Sequence, residues 1–360
     1  MDQPQSPVNL YDLSLEGLSA LIKSWGQPSY RAKQVWEWLY QHKVERFEQM
    51  TSLPKALRER LETETRLGTL EPVAEQFSID GQTVKRLFRL TDGQLIESVL
   101  MEYDDGRRTA CISTQAGCAM GCVFCATGQM GFVRHLTEGE IVQQALYFAR
   151  HLEKENERLS NIVLMGMGEP LHNYDHTLAA IHKLNDPTGL NIGQRHITLS
   201  TVGLVPEMRR FADEGLQVGL AISLHAATDG ERSALLPVNK RYPIESVIDA
   251  ARYYVDKSGR RVTFEWALIR GENDTVEQAR KLGLLLRGLL CHVNMIPLNP
   301  TGGYDGQPSD PERVSAFQAE LAVWGVTSTV RVRRGIDIQA GCGQLKTQVL
   351  KSPRMPRKSR

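Results

Sequence analysis

The first 68 residues show the spacing of apolar positions that is typical of short helices. Helices are predicted over residues 14–23 and 29–41. A third helix is predicted near Thr51, because Pro54 is tolerated in the first turn of a helix. A small helical unit of this kind is more often a docking unit than a catalytic one.

Strand-like runs replace the helical spacing between residues 73 and 114. Asp-Gly pairs at 80–81, 92–93 and 105–106 separate these runs. An Asp-Gly pair between two strand-like runs is a strong short-range signal of a β-hairpin. We therefore predict a short β-hairpin extension over residues 69–107.

Strand-like and helix-like runs alternate from residue 108 to residue 335. The predicted strands are 110–113, 161–165, 196–200, 218–224, 262–269, 293–298 and 329–333. The helical runs between them include 137–153, 205–214, 245–257, 275–286 and 311–324. Such alternation predicts an α/β fold with a parallel sheet covered by helices. About six strand–helix units are too few for a full eight-stranded barrel, so a partial (β/α)6 barrel is predicted.

Composition is that of a globular protein, since 41% of the residues are hydrophobic and 24% are charged. No run of about 20 apolar residues occurs, so neither a transmembrane helix nor a membrane partner is expected. The N-terminal sequence MDQPQSPVNLYDL lacks the basic and apolar regions of a secretory signal. A cytoplasmic location is therefore expected.

Positive charge is concentrated at the C-terminus, although the formal net charge is only +1. The tail, residues 346–360, contains no acidic residue, and its last ten residues include Lys351, Arg354, Arg357, Lys358 and Arg360. Such a tail is typical of an arm that binds phosphate groups. A solvated, disordered end is the alternative. The predicted division of the chain is 1–68, 69–107, a core of 108–345, and the tail.

Three of the six cysteines, Cys118, Cys122 and Cys125, form a CxxxCxxC pattern after the first predicted core strand. In a reducing compartment, clustered cysteines indicate metal binding or catalysis and not a structural disulfide framework. Three thiolates hold three irons of a four-iron cubane and leave the fourth iron without a protein ligand. An open iron suits a cluster that binds a small chelating molecule, so a [4Fe–4S] cluster is predicted.

A zinc site is the alternative for these cysteines, with His135 as the fourth ligand. Zinc sites favour paired CxxC motifs, so the observed spacing favours the iron–sulfur cluster. Ordinary buried thiols are the remaining alternative. That interpretation suits Cys291, which lies in the apolar segment GLLCHV.

Polar residues follow several predicted core strands at their carboxyl ends, where chemistry gathers in parallel α/β folds. After the second strand, in MGMGEP, the paired glycines would let a ligand approach the backbone, and Glu169 would accept a hydrogen bond from the amino group of a methionine. Similar positions after later strands hold Ser200, Ser223, His225 and Asn299. Each of these alone is typical of a satisfied polar residue. Their shared position predicts a ligand site.

The chain, from the helical N-terminal unit to Gln344, resembles the radical S-adenosylmethionine (SAM) rRNA and tRNA adenine methyltransferases of the RlmN type, within the RlmN/Cfr family. The motifs that carry the resemblance are CISTQAGCAMGCVFCATGQMGF, MGMGEPLHNYD, ITLSTVGLVP, AISLHAATD, RSALLPVNKRYP, IPLNP and GIDIQAGCGQL. In the first of them, Phe124 supplies the aromatic residue of the radical SAM CxxxCxφC pattern. The resemblance implies that the partial barrel is a radical SAM barrel.

The resemblance also implies a role for each matching residue. Cys118, Cys122 and Cys125 are implied to hold the cluster. The residues implied to line the SAM site are Gly168, Glu169, Ser200, Ser223, Leu224, His225 and Asn299. Those implied to do the chemistry are Cys342 as methyl carrier, Cys111 as its resolving partner through a transient disulfide, and Glu97 as proton acceptor.

The implied chemistry uses two SAM molecules per turnover. Carbon 2 of adenine is too electron-poor to attack the methyl group of SAM, so one SAM methylates Cys342 and a second supplies the radical that activates this methyl group. The resemblance implies two substrates, 23S rRNA at the peptidyl-transferase centre and tRNA at the adenine beside the anticodon. RNA loops present bases that are easily unstacked, which is consistent with an RNA substrate. A flavodoxin or ferredoxin as electron donor and a monomeric chain are also expected.

Three other functions stay open at this point. A subgroup of the same family methylates carbon 8 of the rRNA adenine instead of carbon 2. A radical SAM activase or sulfur-inserting enzyme would use the same cluster and give Cys342 no role. A non-catalytic iron–sulfur or zinc protein that binds RNA is the third.

Overall fold

The computed structural model describes residues 7–347 of the 360-residue chain. Residues 348–360, which are most of the basic tail, lie outside the described residues, so the interpretation of the tail stays a prediction. Within residues 7–347, no helix combines the length and apolar character needed to cross a membrane.

The N-terminal part of the chain consists of helices and one small parallel sheet. Its elements are β1 (Val8–Asn9), α1 (Leu15–Ser24), α2 (Tyr30–Tyr40), α3 (Lys55–Glu64) and β2 (Thr65–Arg66). The hydroxyl of Ser14 caps α1 by accepting the N–H of Gly17 at 3.1 Å. The first two predicted helices are confirmed. The third begins one residue after Pro54, which is its cap and does not lie in its first turn.

The predicted hairpins are present. Four antiparallel strands follow one another: β3 (Glu71–Phe77), β4 (Thr83–Arg89), β5 (Leu95–Glu102) and β6 (Arg108–Cys111). Gly81, Gly93 and Gly106 have φ values of 70°, 84° and 85°, a left-handed conformation that explains glycine at each turn. The hairpins do not stand apart from the core, because β6 also belongs to the parallel sheet and joins both parts into one ten-stranded sheet.

The remaining elements form the core. They are β7 (Gln115–Gly117), α4 (Ala126–Met130), β8 (Phe132–His135), α5 (Glu138–Glu153), β9 (Asn161–Leu164), α6 (Tyr174–Asn185), β10 (Ile197–Thr201), α7 (Val205–Asp213), β11 (Gly219–Ser223), α8 (Asp229–Leu235), α9 (Ile244–Ser258), β12 (Val262–Leu268), α10 (Val276–Leu286), β13 (Cys291–Pro297), α11 (Pro311–Val323) and β14 (Ser328–Val330). Residues 7–347 also contain five short 3-10 helices.

Seven strands of the large sheet are parallel and pair in chain order, β6-β9-β10-β11-β12-β13-β14. Neighbouring parallel strands joined in sequence give the winding of a barrel, with helices on its outside. Within the described residues the sheet is open, and its edges are β14 and β3. The predicted α/β fold with a central parallel sheet is confirmed. All carboxyl ends of these strands lie at the same end of the sheet, which is where the site forms.

Helix α5 fixes the segment that leads from β6 to the cysteine motif. Its Gln144 is fully buried. The Gln144 side chain accepts the N–H of Ser113 at 2.7 Å and donates to the carbonyl of the same residue at 2.9 Å. It also accepts the hydroxyl of Ser98 on β5 at 2.5 Å. One amide side chain therefore satisfies the backbone polar groups of a residue that cannot reach water.

We expect Gln144→Leu to destabilise the fold strongly, because it leaves the N–H and the carbonyl of Ser113 buried without partners. Each such group costs about 1–3 kcal/mol. Gln307→Leu is the matched control, since Gln307 is exposed in a loop. Thermal melting of both variants tests this, and equal melting temperatures would show that Gln144 does not support the segment.

Candidate active site

Two adjoining cavities open at the carboxyl ends of the parallel strands. The larger, of about 160 Å³, holds the three cysteines of the CxxxCxxC motif and is called here the cluster chamber. The smaller, of about 100 Å³, holds Cys111 and is called the thiol chamber. Cys342 and Asn299 line both chambers. A loop near the end of the chain thus forms the boundary between two cavities of the barrel.

Most of the predicted site residues meet in these chambers. Those that line the cluster chamber are Cys118, Cys122, Cys125, Gly168, Glu169, Ser200, Ser223, His225, Asn299 and Cys342. Leu224 and Glu97 line neither chamber. The side chain of Leu224 is packed in the hydrophobic core, and Glu97 is buried beneath the loop that carries Cys342. The geometry therefore gives these two residues no direct place in the cavities.

The cysteine loop presents its thiols together with backbone N–H groups. The sulfur of Cys125 is hydrogen-bonded by the N–H groups of Thr127 and Gly128, which lower its pKa against the larger effect of burial. Burial likewise raises the pKa of Cys118 to about 12, opposed by the N–H of Met120. Burial makes it unfavourable for these thiols to ionise in the absence of a metal. The N–H donors directed at sulfur are favourable for thiolates whose charge is neutralised by a metal. This environment fits an iron–sulfur cluster.

The described residues give the zinc alternative no support from His135. This residue is hydrogen-bonded to Gln115 at 3.1 Å, its ring lies against His172 at 4.9 Å, and it is not part of the cluster chamber. Within residues 7–347, no three His, Cys, Asp or Glu side chains are gathered around one point as the ligands of a single metal ion are. A cubane cluster spreads its cysteine ligands over several metal atoms, so its sulfurs need not meet at one point.

Glu169 is a buried carboxylic acid at the wall of the cluster chamber. Its carboxylate accepts the N–H of Val202 at 2.8 Å and that of Leu171 at 3.1 Å. Burial raises its pKa to about 7, and these hydrogen bonds oppose the rise. The carboxyl group is thus fixed in orientation and faces a cavity where an ammonium group would be a favourable partner.

The glycines of MGMGEP are required by chain packing. A Cβ atom at Gly166 would lie 2.7 Å from the carbonyl of Ile112, and one at Gly168 would lie 2.5 Å from the Cβ of Gln115. Gly168 also has a φ of 103°. Both glycines line the cluster chamber as well. The close packing against the segment after β6 therefore requires glycine at both positions, whether or not a ligand binds.

His225 is held in one protonation state. Its Nδ1 accepts the N–H of Ala267 at 2.9 Å, so the ring proton is assigned to Nε2. Burial lowers the pKa of His225 to about 3, and the positive charge of Arg232 adds to this effect. The residue has a left-handed φ of 60°, and its ring lies edge-on to Phe124 at 5.0 Å. It is a neutral donor in the wall of the cluster chamber.

Asn299 carries a buried acceptor with no partner among the described residues. Its Nδ2 donates to the carbonyl of Cys342 at 3.1 Å, but its Oδ1 has no hydrogen bond. An unsatisfied buried oxygen at a cavity wall fits a ligand with hydroxyl or ammonium donors. SAM has both kinds of donor, so Asn299 and Glu169 together fit this cofactor.

The thiol chamber brings Cys111 and Cys342 together with Arg331. Burial raises the pKa of Cys111 to about 12, the charge of Cys342 adds to the rise, and Arg331 opposes it. Conversely, the charge of Cys342 raises the pKa of Arg331 above its usual value. Arg333 and Arg334 also line this chamber. Two thiols that the sequence separates by more than 200 residues therefore share one positively charged cavity.

Sequence reasoning missed Arg232, which is fully buried beneath the site. Its guanidinium donates to the carbonyls of Val202 at 2.6 Å, Ser223 at 3.1 Å and Leu224 at 3.2 Å, and to the amide of Asn239 at 2.8 Å. These bonds tie together the carboxyl ends of β10 and β11. The residue stands in the motif RSALLPVNK, but no spacing rule indicates that an arginine is buried there.

Glu265 and Thr127 were missed as well. Glu265 on β12 is a buried wall residue of the cluster chamber and accepts the side-chain N–H of Asn294 at 2.8 Å. Thr127 lines both chambers and donates to the carbonyl of Leu345 at 2.7 Å. Glu265 lies in the middle of an apolar strand. This position could have indicated a functional residue, because burying a carboxyl group is energetically costly.

Two family models match the chain. The model of the Radical SAM superfamily matches residues 112–283. The model described as "Ribosomal RNA large subunit methyltransferase N-terminal domain" matches residues 8–67. The first covers the cysteine motif and most of the parallel sheet, and the second covers the helical N-terminal part.

Similar proteins match over nearly their whole length. "Dual-specificity RNA methyltransferase RlmN 1" of Myxococcus xanthus is 58% identical over 341 residues, which are 95% of this chain and 95% of that protein. "Probable dual-specificity RNA methyltransferase RlmN" of Roseiflexus is 47% identical, and the match covers 96% of this chain and 97% of that protein. The crystal structure of a radical SAM methyltransferase from Sphaerobacter thermophilus superposes with a TM-score of 0.93 at 50% identity, covering 95% of this chain and 100% of that one.

We expect His225 to stay neutral, with its proton on Nε2, between about pH 5 and pH 8, because its pKa is lowered to about 3 by burial. Two-dimensional ¹⁵N correlation spectra of histidine-labelled protein report both the tautomer and the titration. His225→Asn identifies the signal. A His225 signal that moves between pH 5 and pH 7 would contradict the buried, neutral ring.

Proposed function

Because the chain belongs to the RlmN family of radical SAM RNA methyltransferases, we propose that it adds a methyl-derived carbon from SAM to carbon 2 of adenine in 23S rRNA and in tRNA. As a member of this family, it is an enzyme that uses SAM and a [4Fe–4S] cluster. The observation that carries the proposal is the position of Cys342, which lines both chambers. A thiol at this boundary faces the cofactor on one side and a second cavity on the other.

We infer that Cys118, Cys122 and Cys125 hold the cluster and that Glu169, His225 and Asn299 orient SAM beside it. When bound, the cluster and SAM supply a methyl donor and a carbon-centred radical. Glu169 offers a fixed carboxylate to the SAM ammonium group, and His225 offers a neutral N–H. These side chains are buried, so they bind SAM where water cannot compete.

Cys342 is proposed to carry the methyl group. Its thiol loses a proton, and the thiolate takes the methyl group of SAM by displacement, which forms the S–C bond and breaks the sulfonium–methyl bond. Arg331 lines the same chamber and places a positive charge beside Cys342. Cys342 then presents the methyl group at the boundary, within reach of both chambers.

The adenine base is proposed to enter the thiol chamber, where Cys342 and Cys111 both line the wall. Entry requires the base to leave its stack, which costs a few kcal/mol and is least costly in an RNA loop. Glu97 is the proposed final acceptor of the proton that carbon 2 loses; because it lines neither chamber, the proton is proposed to reach it through intervening groups. After the methyl-derived carbon has added to carbon 2, the excess electron of the adduct would return to the cluster. Cys111 is the proposed resolving thiol: it gives up its proton and its sulfur attacks the sulfur of Cys342, which forms the S–S bond and breaks the S–C bond to the methyl-derived carbon. That carbon takes up a proton, and the methylated base is released.

RNA contacts outside the chambers are proposed for two regions. Within the helical unit of residues 1–68, residues 8–67 match the model of the N-terminal domain of ribosomal RNA large subunit methyltransferases. The tail of residues 346–360 supplies positive charge for phosphate groups. A flavodoxin or ferredoxin is proposed as electron donor, and the chain is proposed to act as a monomer in the cytoplasm.

We expect Cys342→Ala to reduce RNA methylation to background, because the methyl carrier is lost. Cys111→Ala is expected to retain methyl transfer to the base and to leave the protein covalently joined to RNA, since the resolving thiol is absent. Cys291→Ala is the matched control, because Cys291 is a buried thiol that lines neither chamber. Mass spectrometry of RNA nucleosides and denaturing gels of the protein provide the readouts.

The same nucleoside analysis identifies the methylated carbon. We expect 2-methyladenosine from both rRNA and tRNA. Exclusive formation of 8-methyladenosine would assign the chain to carbon 8 chemistry. Methylation by Cys342→Ala at the wild-type rate would refute a carrier role and favour another class of radical SAM enzyme.

A further inference from the structure

A buried ion pair lies directly beneath the segment that carries Cys342. Nζ of Lys85 on β4 is 3.2 Å from Oε1 of Glu97 on β5, and the two side chains are 4% and 1% exposed. Removing two charges from water is costly, and apolar residues often stabilise a fold equally well. A pair this deeply buried therefore calls for a reason beyond stability.

The remaining polar contacts of the pair reach both flanks of Cys342. Nζ of Lys85 donates to the carbonyl of Gln339 at 3.3 Å. The N–H of Lys346 donates to Oε2 of Glu97 at 3.0 Å. Residues 339–346, called here the Cys342 segment, are thus bonded at their first and last residues by one ion pair. Gln339 has a left-handed φ of 54°, a conformation that a residue with a side chain adopts only when its surroundings enforce it.

The opposite side of the same segment is bonded to the cluster loop and to the loop after β13. The carbonyl of Gly343 accepts the N–H of Ala126 at 2.7 Å, and the carbonyl of Cys342 accepts Nδ2 of Asn299 at 3.1 Å. The segment therefore spans from the hairpin strands to the cluster. The ion pair contacts this segment at both ends, and Cys342 lies between the two contacts.

We propose that Lys85 is a positioning residue for the methyl-carrying thiol: together with Glu97 it holds the Cys342 segment at both ends. The inference rests on the proposed function, in which Cys342 carries the methyl group. Lys85 touches neither the cavities nor the proposed substrate. It acts through the carboxylate of Glu97 and the carbonyl of Gln339.

The charge of Glu97 couples this clamp to the reaction. The charged groups that face the carboxylate of Glu97 are Lys85 from β4 and Lys346 from the Cys342 segment. The backbone of Glu97 is hydrogen-bonded to the uncharged side chains of Ser113 and Met167. A proton that reaches Glu97 removes the negative charge to which Lys85 and the Lys346 N–H are bonded. The segment is then freed at the stage when Cys111 must approach the sulfur of Cys342.

The test compares Lys85→Met and Lys85→Arg in the reconstituted holoenzyme. Burial raises the pKa of Glu97 to about 7, while Lys85 lowers it. If Glu97 accepts a proton as a carboxylate, activity rises with pH through this pKa. Loss of Lys85 raises the pKa further, so Lys85→Met moves the acidic limb of the RNA methylation profile upward by about one pH unit or more. Lys85→Arg keeps the charge and returns the limb toward its wild-type position.

Hydrogen–deuterium exchange of the Cys342 segment is the second readout, and it needs no RNA. Lys85→Met is expected to speed exchange in peptides that cover residues 339–346 and to leave exchange in the strands β10–β12 unchanged. Lys257→Met is the matched control, because it removes a lysine from the exposed ion pair with Asp213. It is expected to change neither the pH profile nor the exchange of the segment.

An unmoved acidic limb together with unchanged exchange in Lys85→Met overturns the proposal. Faster exchange throughout the sheet also overturns it, because Lys85 would then support the fold in general. A wild-type protein that methylates no RNA refutes the proposed function instead, while exchange of the segment still reports whether the clamp exists. If Lys85→Met does not fold, Glu97→Gln removes the same charge interaction at constant size, and unchanged exchange in that variant overturns the proposal.

Discussion

The site depends on the position of one loop. Residues 339–346 lie across the carboxyl ends of the parallel strands and place Cys342 between two cavities. The loop is bonded to the cluster loop through Gly343 and Leu345, and to the strand ends through Cys342 itself. Neither chamber is complete without it, since Cys342 and Gly343 line both.

The barrel supplies the rigidity that such a boundary needs. Parallel strands paired in chain order bring their carboxyl ends to one level, and the buried Arg232 ties two of those ends together. Glu169 and His225 have their hydrogen-bond partners in the backbone, so their orientation does not depend on a ligand. Preorganised polar groups in a water-poor cavity bind charged cofactors without paying for rearrangement at the moment of reaction.

The parts of this arrangement that could be predicted from sequence are those with local signals. The Asp-Gly pairs predicted the hairpins, and the strand–helix alternation predicted the α/β fold. The spacing of three cysteines predicted the cluster loop. The resemblance to a family pointed to Cys111 and Cys342, which no local pattern joins.

The parts that could not be predicted depend on contacts between distant segments. Lys85 and Gln339 lie 254 residues apart in the chain, and a lysine in a strand pattern gives no sign that it is buried in an ion pair. Leu224 directly follows β11 and stands next to site residues, but its side chain packs in the core. The glycines of MGMGEP were expected to admit a ligand, whereas contacts with Ile112 and Gln115 already require them.

The proposed chemistry depends on three cysteines that leave one iron open beside the polar groups that orient SAM. Electron–nuclear double resonance of the reduced, reconstituted enzyme with SAM labelled by ¹⁵N in its amino group tests this most directly. The proposed function predicts a coupling that places the SAM nitrogen on the cluster, with about four irons per chain. Bound SAM without such a coupling, or a site that holds zinc, would contradict it.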